Sequence, residues 1–201
     1  PALLGPMGPD TDRVRYDYWN VMVDAFIDSY DRQIQDWCHR NGLLYVAEKP
    51  VLRSRQLQYL DIPGCDTAHQ KIYATLDTAS ANYRANPKIL SSGAHFYGKP
   101  HTLCECFHSI GWGMTIQDMK WQIDWLAIHG VDIMTPHAFY YTSNALRKHD
   151  APPSCFFQQP YWADMGQLCG YVRRLCEAVE GGSRAVDVLL VDPVTSTWTA
   201  M

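Results

Sequence analysis

Lys99–His108, KPHTLCECFH, and Gly111–Gly130, GWGMTIQDMKWQIDWLAIHG, decide how this chain is read. The first is a short apolar run that carries one carboxylate, Glu105, near its end. The second turns through glycines into a patterned helix. Thr115-Ile116-Gln117-Asp118 has the outline of a capping box, and Ile116, Met119, Ile123 and Leu126 form an apolar stripe that Trp121, Trp125 and Ile128 widen. Gly130 ends that helix. An acid at the C-terminal end of a buried strand, just before a loop and a helix, sits where α/β barrels place their chemistry.

Outward from this segment the same alternation repeats. Asp17–Arg40 reads as a helix, since Tyr18, Met22, Ala25, Phe26, Ile34, Trp37 and Cys38 recur at spacings of three and four, and Asn41-Gly42 stops it. GLLYVAE, ending on Glu48, follows as a buried parallel strand. Leu57–Ile62 is a further strand candidate, closed by Pro63-Gly64, so that DIPGCD reads as a turn holding Asp61 and Asp66. Thr67–Arg84 is expected to be helical, broken at Asn86-Pro87, with a second short helix over Lys88–Tyr97. Strands are expected at His101–Phe107 and Val131–Phe139, a helix after Pro160, and a last strand in AVDVLLVD. Helices alternating with short strands mean right-handed βαβ crossovers and a parallel sheet. A complete (β/α)8 barrel needs ~250 residues. The expected fold is therefore α/β: a partial (β/α)8 barrel, roughly its C-terminal half, over residues 1–183, with residues 184–201 opening a following α/β domain. Half a barrel leaves strand edges unpaired, so this piece alone is expected to be poorly stable or self-associating.

Composition narrows the function classes. Of 201 residues, 47% are hydrophobic, which argues against disorder, and the net charge of −4 comes with no basic run that would meet nucleic acid or an anionic membrane. No apolar stretch reaches the ~18 residues that span a bilayer. There is no GxGxxG, P-loop, GxSxG or HExxH, and no cofactor is implied. The seven cysteines lie mostly in apolar runs and read as small buried hydrophobes.

The chemistry then rests on carboxylates. Along a strand, Glu105 shares a face with Leu103 and Phe107, while Cys104, Cys106 and His108 point the other way, toward the helices. As letters, His101, Cys104, Cys106 and His108 resemble a zinc cluster, but structural zinc takes ligand pairs from turns, and no metal is assigned. Glu48 has the same context as Glu105: apolar run, acid, loop. Two strand-end acids are what glycoside hydrolysis requires, one to protonate the leaving oxygen and one to attack or activate water. Glu105 and Glu48 are thus the catalytic candidates. His137 is a candidate sugar-hydroxyl contact, Trp112, Tyr141 and Trp162 are candidate stacking surfaces, and Asp61 and Asp66 are candidates for the rim. A barrel that binds carbohydrate without cleaving it, and a Cys/His zinc module, are the alternatives.

The stretch AHFYGKPHTLCECFHSIGWGMTIQDMKWQIDWLAIHGVDIMTPHAFYYT resembles large bacterial glycoside hydrolases with a catalytic (β/α)8 barrel, of the α-L-rhamnosidase-like kind. IQDWCHRNGLLYVAEKP resembles their helix–strand passage, DIPGCD their Pro-Gly turn, and the segment from PPSCFFQQPYW to VDVLLVDPVTSTW their final barrel helix and the strand that follows. The resemblance implies that Glu48 ends the fifth strand, that Asp61–Asp66 flank the sixth, that Glu105 ends the seventh and that His137 lies on the eighth. It implies that the seventh-strand acid is the nucleophile or second catalytic carboxylate, with a fourth-strand acid upstream of Pro1. It further implies a carbohydrate substrate, with the rest of a longer parent chain as partner, and leaves the compartment open, periplasmic or secreted being compatible. The chain departs from the pattern in reading VAEKP where relatives carry Gly-His before the acid.

Overall fold

The computed structural model describes residues 2–49, 54–67, 81–182 and 185–200. It divides into two compact units, Gly42–Gly182 and a second made of Pro1–Asn41 with Ser183–Met201. The larger unit carries a four-stranded parallel sheet in the order β1-β2-β3-β4. Its strands are β1 (Val46–Lys49), β2 (Ile62–Asp66), β3 (Leu103–Cys106) and β4 (Ile133–Pro136). Sequential order and parallel pairing are the expected partial α/β barrel. Register sets Glu48 beside Gly64, Asp66 beside Glu105, and Glu105 beside Thr135.

Among the described residues, the α-helices of this unit in chain order after β1 are α3 (Ser54–Leu57), α4 (Ala81–Phe96), α5 (Ile116–Ile128) and α6 (Met165–Val179). Leu57, Leu60, Leu90, Met119, Ile123, Leu126 and Val131 are fully buried and form the layer between helices and sheet. Helix α5 starts as its sequence dictates. Thr115 Oγ1 accepts the Asp118 N–H at 3.2 Å and Asp118 Oδ2 accepts the Thr115 N–H at 2.8 Å, closing a capping box. Its apolar face is narrower than expected, because Trp121 and Ile128 are exposed and buried Gln122 takes a place in the core.

Three local expectations are corrected. Leu57–Ile62 is not a strand: Leu57 ends α3, and the strand is IPGCD, the segment read as a turn. Pro-Gly signals a turn locally, but here Gly64 lets two backbones close up. A Cβ on it would lie 2.8 Å from the Ala47 carbonyl oxygen. Asn86-Pro87 does not split the helix, since α4 runs through Pro87. Both residues are buried where α4 packs on β2, and that tertiary contact outweighs the local cost of the missing N–H. The helix expected over Thr67–Arg84 falls mostly outside the described residues.

The smaller unit is built on α1 (Thr11–Phe26), a π turn at Ile27–Asp31, and α2 (Arg32–Arg40), continuous as the periodicity predicts, together with α7 (Val194–Thr199). Arg15 ties its two chain segments, donating from Nε to the Ala2 carbonyl at 2.8 Å and from Nη1 to the Thr199 carbonyl at 2.9 Å. The strand expected in AVDVLLVD is not formed. No described strand pairs with it, so it has no ladder, and Val188, Leu189, Leu190 and Val191 stand 78–90% exposed.

Candidate functional site

Alternation along the strands sorts the side chains of the sheet into two sets. Cys65 and Cys104 are register neighbours, and with Cys106 they lie on the helix side, all buried. Burial is the largest influence on the Cys104 and Cys106 thiols and pushes both well above the usual range. Cys104 is raised further by its hydrogen bond with Cys65, and Cys106 by Cys155 and Glu105. Neutral thiols are poor nucleophiles and poor metal ligands. The zinc-like string of letters also comes apart in space. His101 precedes β3, where its Nδ1 meets Asp132 Oδ2 at 2.8 Å, whereas His108 lies beyond the other end of the strand.

The opposite set is acidic. Glu48, Asp66 and Glu105 stand at or near the C-terminal ends of β1, β2 and β3. Gly64 is the register neighbour of Glu48, and a Cβ on it would come within 3.1 Å of the Glu48 Cα. The Glu48 carboxyl is pushed up from 4.5 to about 7, first by burial, then by the nearby charges of Asp66 and Glu105, against a smaller opposing pull from Lys49. Its Oε1 is buried with no hydrogen-bond partner among the described residues. A carboxyl in that setting keeps its proton near neutral pH and is ready to give it up.

The expectation that His108 turns away with the cysteines is overturned. Strand β3 ends at Cys106, and Phe107 has φ 75°, a left-handed conformation that breaks the alternation. Phe107 instead lines the apolar space between the sheet, α5 and α6, of about 330 Å³, together with Cys106, Ile123 and Leu168. His108 swings to the acids, with Nδ1 at 4.0 Å from Asp66 Oδ2. His137, whose N–H donates to the Cys106 carbonyl at 2.8 Å, sets its ring edge-on to His108, centroids 5.0 Å apart.

From His137 an aromatic series continues outward. Tyr140 lies edge-on to His137 at 6.2 Å, and Trp112 edge-on to Tyr140 at 6.4 Å. Tyr140 is anchored, its hydroxyl reaching the carbonyls of Asp150 at 2.6 Å and Ala151 at 2.9 Å, while Trp112 Nε1 donates to the Lys148 carbonyl at 2.7 Å. Tyr141 is 93% exposed. Trp162 packs instead on Phe139 and Phe156.

The structure thus brings together Glu48, Asp66, Glu105 and His137 of the residues expected from sequence, with Trp112 two rings beyond His137. Asp61 does not join them. It precedes β2, at the end opposite Asp66, where its Oδ2 accepts the Tyr45 N–H at 2.7 Å and its own N–H donates to the Tyr45 carbonyl at 2.9 Å. Sequence reasoning missed His108 and Tyr140. A positive φ at a phenylalanine leaves no signal that marks His108, and Tyr140 sat in a run of aromatics with nothing to single it out.

No known family and no curated protein matches this sequence. Among solved structures the chain is similar to a rhamnosidase from Novosphingobium sp. PP1Y, with a TM-score of 0.64 and 20% identity over 86% of this chain. The chain spans 17% of that protein's length. At this identity the likeness establishes the fold, and it agrees with the partial α/β barrel.

Proposed function

We propose that this chain carries part of the active site of a glycoside hydrolase, acting on O-glycosidic bonds of carbohydrate. The observation that carries the reading is the group of three carboxylates at the ends of three adjacent parallel strands, one of them held protonated to about pH 7. Hydrolysis of a glycoside needs a proton donor and a second carboxylate that attacks the anomeric carbon or activates water. Glu48 fits the donor, because burial and two neighbouring acids hold its proton. Glu105 takes the second role. Asp66 raises the Glu48 pKa and faces His108, and so sets the charge of the site. His137 and Trp112, half-buried on either side of the buried Tyr140 ring, are the candidate contacts for a sugar ring beyond the acids.

The fold likeness to a rhamnosidase supports a deoxyhexose glycoside as the first substrate to try. A preceding segment of a longer parent supplies the remaining barrel strands in this reading. The test is hydrolysis of a panel of aryl glycosides, α-L-rhamnoside first, by the longer parent that contains this chain, the piece alone being expected to be inactive, and by the Glu105→Gln and Glu48→Gln variants of that parent. Turnover by the wild type that both variants lose supports the reading. Equal turnover in all three, or none in the wild type, overturns it.

A further inference from the structure

Gln122 sits in the apolar stripe of α5, between Met119, Ile123 and Leu126, and is 1% exposed. A buried amide is costly unless both its ends are bonded. Here both are. Oε1 accepts the Phe107 N–H at 3.1 Å, and Nε2 donates to Thr67 Oγ1 at 3.0 Å. The two partners have telling positions. Thr67 directly follows Asp66, and Phe107 stands between Cys106 and His108, two residues past Glu105.

The backbone alone holds this junction weakly. The Thr67 N–H reaches the Glu105 carbonyl at 3.4 Å, long for a hydrogen bond. Phe107 has φ 75°, and such a conformation in a side-chain-bearing residue persists only where its surroundings enforce it. The Gln122 amide is the enforcing contact on the Phe107 N–H. It reaches both chain segments from beneath, on the helix side, without approaching the mouth of the site.

We propose that Gln122 is a positioning residue: its amide bridges the ends of β2 and β3 and so fixes His108 and Glu105 against Asp66. Its effect on turnover rests on the glycosidase reading; the geometric part does not. The position demands one acceptor and one partner for a hydroxyl. Methionine fills the volume and strands both Phe107 N–H and Thr67 Oγ1. Glutamate keeps an acceptor for Phe107, and the Thr67 hydroxyl can rotate to donate to its second oxygen.

The experiment compares Gln122→Met, Gln122→Glu and Thr67→Val in the same longer parent. It reads kcat and KM on the aryl glycosides, and the ring ¹H–¹⁵N resonances of the histidines. Gln122→Met is expected to lower kcat about a hundredfold with KM within about twofold, as for misplaced reacting groups. Thr67→Val, which removes one arm, is expected to cost about tenfold, and Gln122→Glu to recover most of the loss. In Gln122→Met the His108 resonances move, while those of His101, held by Asp132 at the far end of β3, stay in place. Unchanged kcat in a folded Met variant, or His108 resonances that stay put, overturns the proposal. If the wild type hydrolyses no glycoside, the glycosidase reading fails, and the ring spectra alone decide. His108 moving without His101 then supports the bridge, and both or neither moving refutes it. If Gln122→Met does not fold, Thr67→Val read in the same way decides between these outcomes.

Discussion

The two faces of one sheet carry opposite chemistry. On the helix side, Cys65, Cys104 and Cys106 are sealed in the core. On the other side, one residue away along the same strands, Glu48, Asp66 and Glu105 gather. Burial is the largest influence on Glu48 and on the Cys104 and Cys106 thiols, and it pushes all of them upward. The consequences differ because the starting points differ. A thiol that begins near 9 and rises becomes inert at neutral pH, whereas a carboxyl raised to about 7 becomes a usable acid. Desolvation silences one face and arms the other.

Substitutions on the two faces should therefore separate activity from stability. The largest effect is expected from Glu105→Gln, which should lower kcat of the longer parent on a cleaved glycoside by about 10⁴-fold with its melting temperature retained. Near-normal turnover would erase the distinction between the faces. Next comes Gly64→Ala, on the acidic face beside Glu48. Its Cβ would meet the Ala47 carbonyl at 2.8 Å, and backbone must move. A cost of about 1–3 kcal/mol in urea unfolding is expected, together with reduced turnover as β1 carries Glu48 away. Full activity in this variant would mean that the Glu48 spacing is unimportant.

Glu48→Gln tests the acidic face through stability. The folded state holds this proton more tightly than the unfolded chain. The contribution of Glu48 is thus complete below about pH 4.5 and is lost as pH rises through about 7. The amide does not ionise. The variant should match wild type near pH 4 and gain on it steadily, by about 1–2 kcal/mol above pH 7 after allowance for a half-open, screened site. Parallel pH–stability curves would refute a raised pKa. The smallest effect is expected on the thiol face: Cys104→Ala and Cys106→Ala should each cost about 1 kcal/mol and leave kcat within about twofold. A loss of turnover without unfolding would give the thiols a part in the chemistry and end the contrast between the faces.

Much of this was legible in the sequence, and the failures share a cause. Periodicity and the capping box at Thr115 located α5, and an apolar run ending on an acid located β1 and β3. Those signals are local, and the structure obeys them. Pro63-Gly64 and Asn86-Pro87 are equally clear local signals, and there the structure overrides them, because both pairs are packed where β2 meets its neighbours. The site divides in the same way. Strand alternation put Glu105 opposite the cysteines, but it holds only while the strand lasts. It ends at Cys106, and the turn at Phe107 sends His108 to the acids. Asp61 and Asp66 looked equivalent in DIPGCD as a turn; as the flank and the last residue of a strand they lie at opposite ends of it, about 16 Å apart along an extended chain.

The claim on which the rest depends is that Glu48 holds its proton near neutrality because it is buried beside Asp66 and Glu105. Carbon-13 NMR titration of the glutamate side-chain carboxyls in the folded full chain measures this directly, with Glu48→Gln identifying the resonance. A midpoint of about 7 is expected, falling when Glu105 is replaced by Gln. A midpoint at the ordinary 4.5, unmoved by that replacement, would contradict it.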